Sequence, residues 1–214
     1  MVTVPEATKK IVERSRYLSE AISKGIINYS SLARYIKPEL EEILLKKVSN
    51  ASIIMALNRL ESNFRPKFQQ SNIFKTPPEI TVRSNLVLAC LPNNEIQGLS
   101  VLISRDVNSR SFFLKNQGIY ESSLILSQDL FEKYKTAIEG KSPLILEDKI
   151  SAVTIYLPDE ALKTSGIYYF FLKSLAWEGI NMLELVSTPS ELTIVVANQD
   201  TERTFAIIKS LFTS

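Results

Sequence analysis

The sequence predicts an α+β protein in which a helical N-terminal third precedes a duplicated βαββα unit. Three observations predict it. Apolar residues before position 64 recur at helical spacing, those after position 80 gather into short β-branched runs, and the runs repeat at offsets of 66 to 70 residues. With 214 residues, 45% of them apolar, the chain has material for one large domain or two to three small ones, each with a core.

The helices come first. Pro5 sits where a first helical turn tolerates proline, Ala7, Ile11, Leu18 and Ile22 follow at near-helical spacing, and Gly25 is a stop. Ser30 and Ser31 are cap residues for a second helix with Leu32 and Ile36 on one face. Pro38 is expected to start a further helix carrying Leu40, Ile43 and Leu44. The clearest helix is capped by Ser49 or Asn50 and puts Ile53, Ile54, Leu57 and Leu60 on one buried face. These three to four helices define an expected domain over residues 1–64. Periodicity then lapses, and with Pro77 and Pro78 adjacent, residues 65–79 are read as a linker.

Beyond it, residues 86–91, 111–114, 123–126, 152–157, 182–186 and 192–196 read as strands, with helices near 98–108, 128–139, 166–178 and 199–212. Leu91-Pro92 opens a loop reaching Gly98-Leu99, and Leu157-Pro158 opens one reaching Gly166-Ile167. Residues 121–128 lie over 191–198 at an offset of 70, Glu132 and Lys133 fall on Glu202 and Arg203, and Ile138 on Ile208. Ordered matches at a nearly constant offset mark two copies, assigned to residues 80–149 and 150–214. Each copy carries two helices on one sheet face, so a second copy or a homodimer must cover the other. Residues 143–146 offer the first copy a fourth strand. The second ends at Ser214, so its sheet is either one strand short or completed by another segment.

Composition excludes several chemistries. There is no His, hence no Ser-His-Asp or Cys-His pair and no His-ligated zinc. The single cysteine, Cys90, cannot form an internal disulfide and is read as a buried core thiol. Glu147-Asp148 and Asp159-Glu160 are read as solvated acids rather than metal ligands. No phosphate-binding glycine loop occurs, and no enzyme, metal or cofactor is expected. No uncharged apolar run approaches the ~18 residues of a membrane span, and the start lacks a signal-peptide core, so a cytoplasmic protein is expected. Residues 1–75 hold 13 Lys/Arg against 7 Asp/Glu, whereas the rest holds 12 against 16. The basic third faces either an anionic partner such as nucleic acid or only solvent.

The second copy carries a resemblance. Residues 165–187, with Glu178-Gly-Ile-Asn181 turning into a strand, followed by Glu191-Leu-Thr-Ile-Val-Val196, are similar to the core of an ACT domain, most of all to the regulatory ACT modules of aspartokinases. The resemblance covers residues 150–212 well and 80–148 weakly. It implies two ferredoxin-like βαββαβ domains, pairing side by side and likewise between chains of a homo-oligomer, and a regulatory role with a small effector, often an amino acid, held between paired domains. Carried over by position, the ligand residues are Lys163, Thr164, Ser165, Gly166, Ile167, Asn181 and Met182. Gly166 allows close backbone approach, the N–H groups opening the next helix suit a carboxylate, and Asp159 or Glu160 suits an ammonium group. The loop departs from the family's pattern, being longer and having Ser before Gly. A ligand-free structural pair, acting as a protein-interaction scaffold, therefore stands beside the sensing reading. The helix after Gly166 carries Tyr168, Tyr169, Phe170, Phe171 and Trp177, more aromatics than one buried stripe uses, and is either an interdomain or dimer contact or plain core.

In the N-terminal third, residues 30–36 and 48–60 look like a helix-turn-helix of winged-helix type, although residues 38–47 intervene. Its outward face offers Asn50, Ser52, Asn58 and Arg59, with Arg65 and Lys67 following, so DNA is a possible partner. A bundle that binds no DNA fits the same residues.

Overall fold

A capping box opens α1 (Val4–Arg14): the Glu6 N–H donates to Thr3 Oγ1 at 3.4 Å, and the Thr3 N–H returns a 2.8 Å bond to the Glu6 carboxylate. These bonds from Thr3 hold the Glu6 carboxyl below the usual carboxylate range. The computed structural model describes residues 2–63 and 73–212, in two compact units spanning residues 1–69 and 70–214.

The first unit is helical. The single helix expected up to Gly25 is two, α1 and α2 (Arg16–Ser23), because Ser15 closes the first with its N–H and opens the second by accepting from the Leu18 N–H. Pro38 does not start a helix either. It lies inside α3 (Tyr29–Leu44), capped by Asn28 rather than by Ser30 or Ser31. An interior proline costs about 3 kcal/mol. The buried side chains of Leu32, Ile36 and Leu40, on the face that continues through it, return about 1.5–3 kcal/mol each. Tertiary burial outweighs the local break. Ser49 caps α4 (Asn50–Asn63), its Oγ accepting from the Ser52 N–H at 3.2 Å. The core gathers Ile11, Ile22, Leu32, Ile36, Leu40, Ile53 and Leu57.

The second unit is a six-stranded antiparallel sheet with four long helices. In chain order it comprises β1 (Ile80–Pro92), α5 (Asn93–Asp106), β2 (Phe113–Gln117), β3 (Glu121–Ser127), α6 (Gln128–Glu139), β4 (Ile145–Tyr156), α7 (Ile167–Trp177), β5 (Met182–Ser187), β6 (Glu191–Ala197) and α8 (Thr201–Ser210). The strand order is β2-β3-β1-β4-β6-β5, which places the two copies of the repeat side by side with their first strands in contact. The offset of 70 between residues 121–127 and 191–197 reappears as β3 and β6.

β1 and β4 are long because each serves both copies. From Leu86 on, β1 pairs with β3 of its own copy, while Ile80 to Arg83 pair with Ile155 to Ala152 of β4. In β4, Ile145, Leu146 and Glu147 pair with Cys90, Ala89 and Leu88, and Ile150 to Tyr156 pair with β6. The fourth strand expected at 143–146 is therefore the opening of β4, and the strand missing from the second copy is residues 80–83. Each long strand changes partner at a residue in the left-handed region, Asn85 (φ 57°) in β1 and Lys149 (φ 55°) in β4. Bulges in the β1–β4 pairing flank Leu86.

Alternation along the strands separates two apolar layers. Val87, Ala89, Leu91, Leu124 and Leu126 face α5 and α6, where Ile96, Leu99, Ile103 and Leu130 meet them. The opposite, helix-free side carries Leu86, Leu88, Cys90, Ile125, Ile150, Ala152 and Val195, all from strands and all buried.

Candidate ligand-binding site

Residues 157–166 leave the top of β4 and lead into α7. The Leu157 N–H donates to Ser190 O at 2.7 Å, tying the loop to the β5–β6 turn. Residues Asp159–Lys163 form a short 3-10 turn, closed by the Thr164 N–H on Ala161 O at 3.1 Å and Thr164 Oγ1 on Glu160 O at 2.7 Å. Gly166 then stands at φ 86°, ψ 6° as the N-cap of α7. Only glycine takes that conformation without strain, and having no side chain it caps none of the helix's first N–H groups. Those groups are oriented for an anion.

The predicted residues do not gather at one place in the chain. Lys163, Ser165 and Gly166 are exposed and Thr164 is half-buried at the entry to α7, whereas the Ile167 side chain is core, leaving only its N–H to the site. Asn181 and Met182 lie at the other end of α7. The Ile180 N–H donates to Leu175 O, and the eleven residues of α7 span about 16 Å at 1.5 Å per residue. Asp159 and Glu160 sit in the 3-10 turn.

What closes the site was not legible. Tyr168, in the first turn of α7, shares a 2.7 Å hydrogen bond with Ser187 Oγ at the end of β5, and Ser187 Oγ also lies within bonding distance of Thr188 O and Glu191 O. Of the aromatic run, Phe170 and Phe171 are buried and form a cluster with Phe74 and Phe212, with ring centroids 4.8–6.5 Å apart. Trp177 is 75% and Tyr168 41% exposed, and Lys173 lies over the Tyr169 ring.

The first copy differs at the same corner. Residues 93–98, expected as a loop, are the first turns of α5, which starts directly at Pro92. Asn93 Nδ2 donates to Gly118 O and Ile119 O at 3.0 and 2.9 Å, and Ser122 Oγ donates to Asn93 Oδ1 at 2.6 Å. Ser122 is 1% exposed. Asparagine after proline at a helix start was the one sequence signal for this tie.

Between the copies, Glu184 of β5 accepts from Ser123 and Asn116. Cys90 lies among the helix-free apolar cluster, and burial, reinforced by the charges of Glu184 and Glu121, pushes its thiol up to about 11. That is an inert thiol at neutral pH, as expected from its sequence context.

In the first unit, Asn50, Asn58 and Arg59 are exposed on α4, while Ser52 directs its hydroxyl to Ser49 O at 2.8 Å. Arg65 and Lys67 lie outside the described residues. Among the described residues there is no cluster of three or more potential metal ligands, and no helix is long and apolar enough to cross a membrane.

The tandem βαββα arrangement is shared, at the level of fold, with solved aspartate kinase structures. The chain is similar to the aspartate kinase of Clostridium acetobutylicum, described as an allosteric enzyme, with a TM-score of 0.54 and 16% identity over 69% of this chain. It spans 37% of that enzyme's length. It is also similar to the regulatory subunit of the Thermus thermophilus aspartate kinase in its ligand-free form, with a TM-score of 0.51 and 14% identity over 62% of this chain and 95% of the subunit. At these identities the likeness is one of fold. No family model matches the sequence, and no curated protein sequence matches it.

Proposed function

We propose that the chain is a non-catalytic regulatory protein whose second repeat senses an amino acid at the entry to α7. The observation that carries this reading is the contrast between the two corners. Neither helix start has a side-chain cap, but Asn93 fills the corner of the first repeat with its carboxamide, while the second has the side-chain-free Gly166 there. The carboxylate would meet the N–H groups of α7, and Asp159 or Glu160 the ammonium. Since Asn181 and Met182 lie about 16 Å away in the same copy, their part in a site requires a second chain brought up against β5. That edge strand carries Leu183 and Leu185, 37% and 38% exposed, which suits side-by-side pairing in a homo-oligomer.

A thermal-shift screen against the twenty amino acids at about 1 mM tests the reading. A ligand with a dissociation constant of about 10 μM adds roughly 2.7 kcal/mol, several degrees in the midpoint. The expected outcome is one clear hit, lost in Gly166→Trp. A flat screen overturns the sensor and leaves the ligand-free scaffold, which the Tyr168–Ser187 closure favours. Coupling to DNA through the exposed Asn58 and Arg59 of α4 predicts affinity that falls steeply with salt and weakens in Arg59→Ala. A titration at low ionic strength with no binding removes it.

A further inference from the structure

Laid flat, a sheet in the order β2-β3-β1-β4-β6-β5 would hold β5 about 19 Å from β3 and about 24 Å from β2, at ~4.8 Å per strand. Instead Ser123 Oγ of β3 donates to Glu184 Oε1 of β5 at 2.6 Å, and Asn116 Nδ2 of β2 donates to the same oxygen at 3.0 Å. The sheet is therefore folded over on its helix-free side, and the two repeats meet there across the strand-only apolar cluster. This explains how that cluster is buried with no helix above it.

Three features single out Glu184. The β5–β6 register is irregular between Met182 and Glu184, a distortion of the kind that re-aims a side chain. The acid is half-buried beside apolar residues, where a carboxylate needs donors. Both donors come from the other repeat, 61 and 68 residues away in sequence. At the far side of the fold, β1 and β4 change partner at Asn85 and Lys149, both exposed and both at positive φ.

We propose that the two repeats form a hinged cleft, closed at rest, in which Asn85 and Lys149 are the pivots and Glu184 is the clasp joining the helix-free faces. Opening would uncover the strand-only cluster and separate β5, the strand leading out of α7, from the first repeat. The clasp uses none of the residues proposed to hold an effector, so it stands or falls apart from the sensing reading.

Cys90 is a built-in reporter, being the only cysteine and 8% exposed within the cluster. The experiment measures the rate at which a water-soluble aromatic disulfide reagent labels Cys90 in the full chain. Asn116→Ala with Ser123→Ala removes both donors yet leaves the Glu184 charge beside the thiol, so the thiol's acidity is not eased. Labelling should accelerate roughly tenfold or more, the scale of losing hydrogen bonds to a charged acceptor. Glu184→Gln retains an acceptor oxygen. Once corrected for the thiolate fraction from a pH series, its acceleration should be smaller than the donor variant's. In each case the rate should change little at low denaturant, as for local opening, rather than steeply, as for global unfolding. If the double variant does not fold, Ser123→Ala alone should accelerate labelling by about tenfold, the lower end of that scale. Labelling of the donor-deleted chain at the parent's rate, or a steep denaturant dependence in every variant, overturns the clasp.

Discussion

In the first repeat β1 runs straight into α5, and Asn93 uses both ends of its carboxamide on the β2–β3 turn and on buried Ser122. In the second repeat ten residues intervene, α7 starts at a left-handed glycine, and the corner is tied to the β5–β6 turn by the Leu157 N–H on Ser190 O and by the hydroxyl pair of Tyr168 with Ser187. The helical cores differ as well. The first is mainly aliphatic, around Ile96, Leu99 and Ile103 with Phe131, and the second contains a four-ring aromatic cluster. The same supersecondary unit thus has its corner filled by a carboxamide in one copy and spanned by a loop in the other. Duplication supplies the topology, and a few residues at one junction decide how each copy's first helix begins.

The largest expected effect tests whether so unlike a pair still melts as one body. Phe171 is fully buried, with rings at 5.0, 6.0 and 6.1 Å, and Phe171→Ala should cost about 3–5 kcal/mol. Because β1 and β4 serve both repeats, the loss should move a single unfolding transition of the second unit in a denaturant melt. A melt that splits, with only one part shifted, would break the idea that the repeats are one cooperative body.

Next in size is the sealed corner. Asn93→Ala leaves the Ser122 hydroxyl buried without its acceptor and should cost about 1–3 kcal/mol, whereas Tyr168→Phe at the partly exposed second corner should cost under about 1 kcal/mol. Equal losses would erase the distinction between the corners.

The smallest effects have opposite signs. Gly98 and Gly166 are matched in the repeat, yet Gly98 lies within α5 with nothing within 4 Å of an added Cβ, while Gly166 stands at φ 86°. Gly98→Ala should stabilise by about 0.5–1 kcal/mol, and Gly166→Ala should destabilise by about 1–2 kcal/mol. Thermal melts of the two variants give the signs directly.

That pair of glycines also shows how far the sequence could be read. The repeat was legible because strand register tolerates no slippage when one face is buried, and residues 121–127 and 191–197 keep their offset in the fold. The first helical turns of α5 were not legible, since Pro-Asn before a glycine reads equally as a loop. Pro38 misled for a related reason: its local cost is fixed, but the burial of Leu32, Ile36 and Leu40 that overrides it depends on α1 and α4. The ligand residues were named by position along the chain, and position alone could not reveal that α7 holds Gly166 and Asn181 apart. Glu184 left a trace, an acid inside an apolar strand, but its donors are 61 and 68 residues distant.

The strand exchange has a consequence for how the chain is made. Ile80 pairs with Ile155, so the opening of β1 leaves the ribosome 75 residues before its partner. At ~5–20 residues per second, it waits for roughly 4–15 s as a bare edge. The second repeat cannot be finished from its own residues, because Ile80 to Arg83 of the first pair with Ile155 to Ala152. Cutting the gene between residues 149 and 150 would therefore leave the second product without the strand that residues 80–83 supply. The second repeat is complete only as part of the pair.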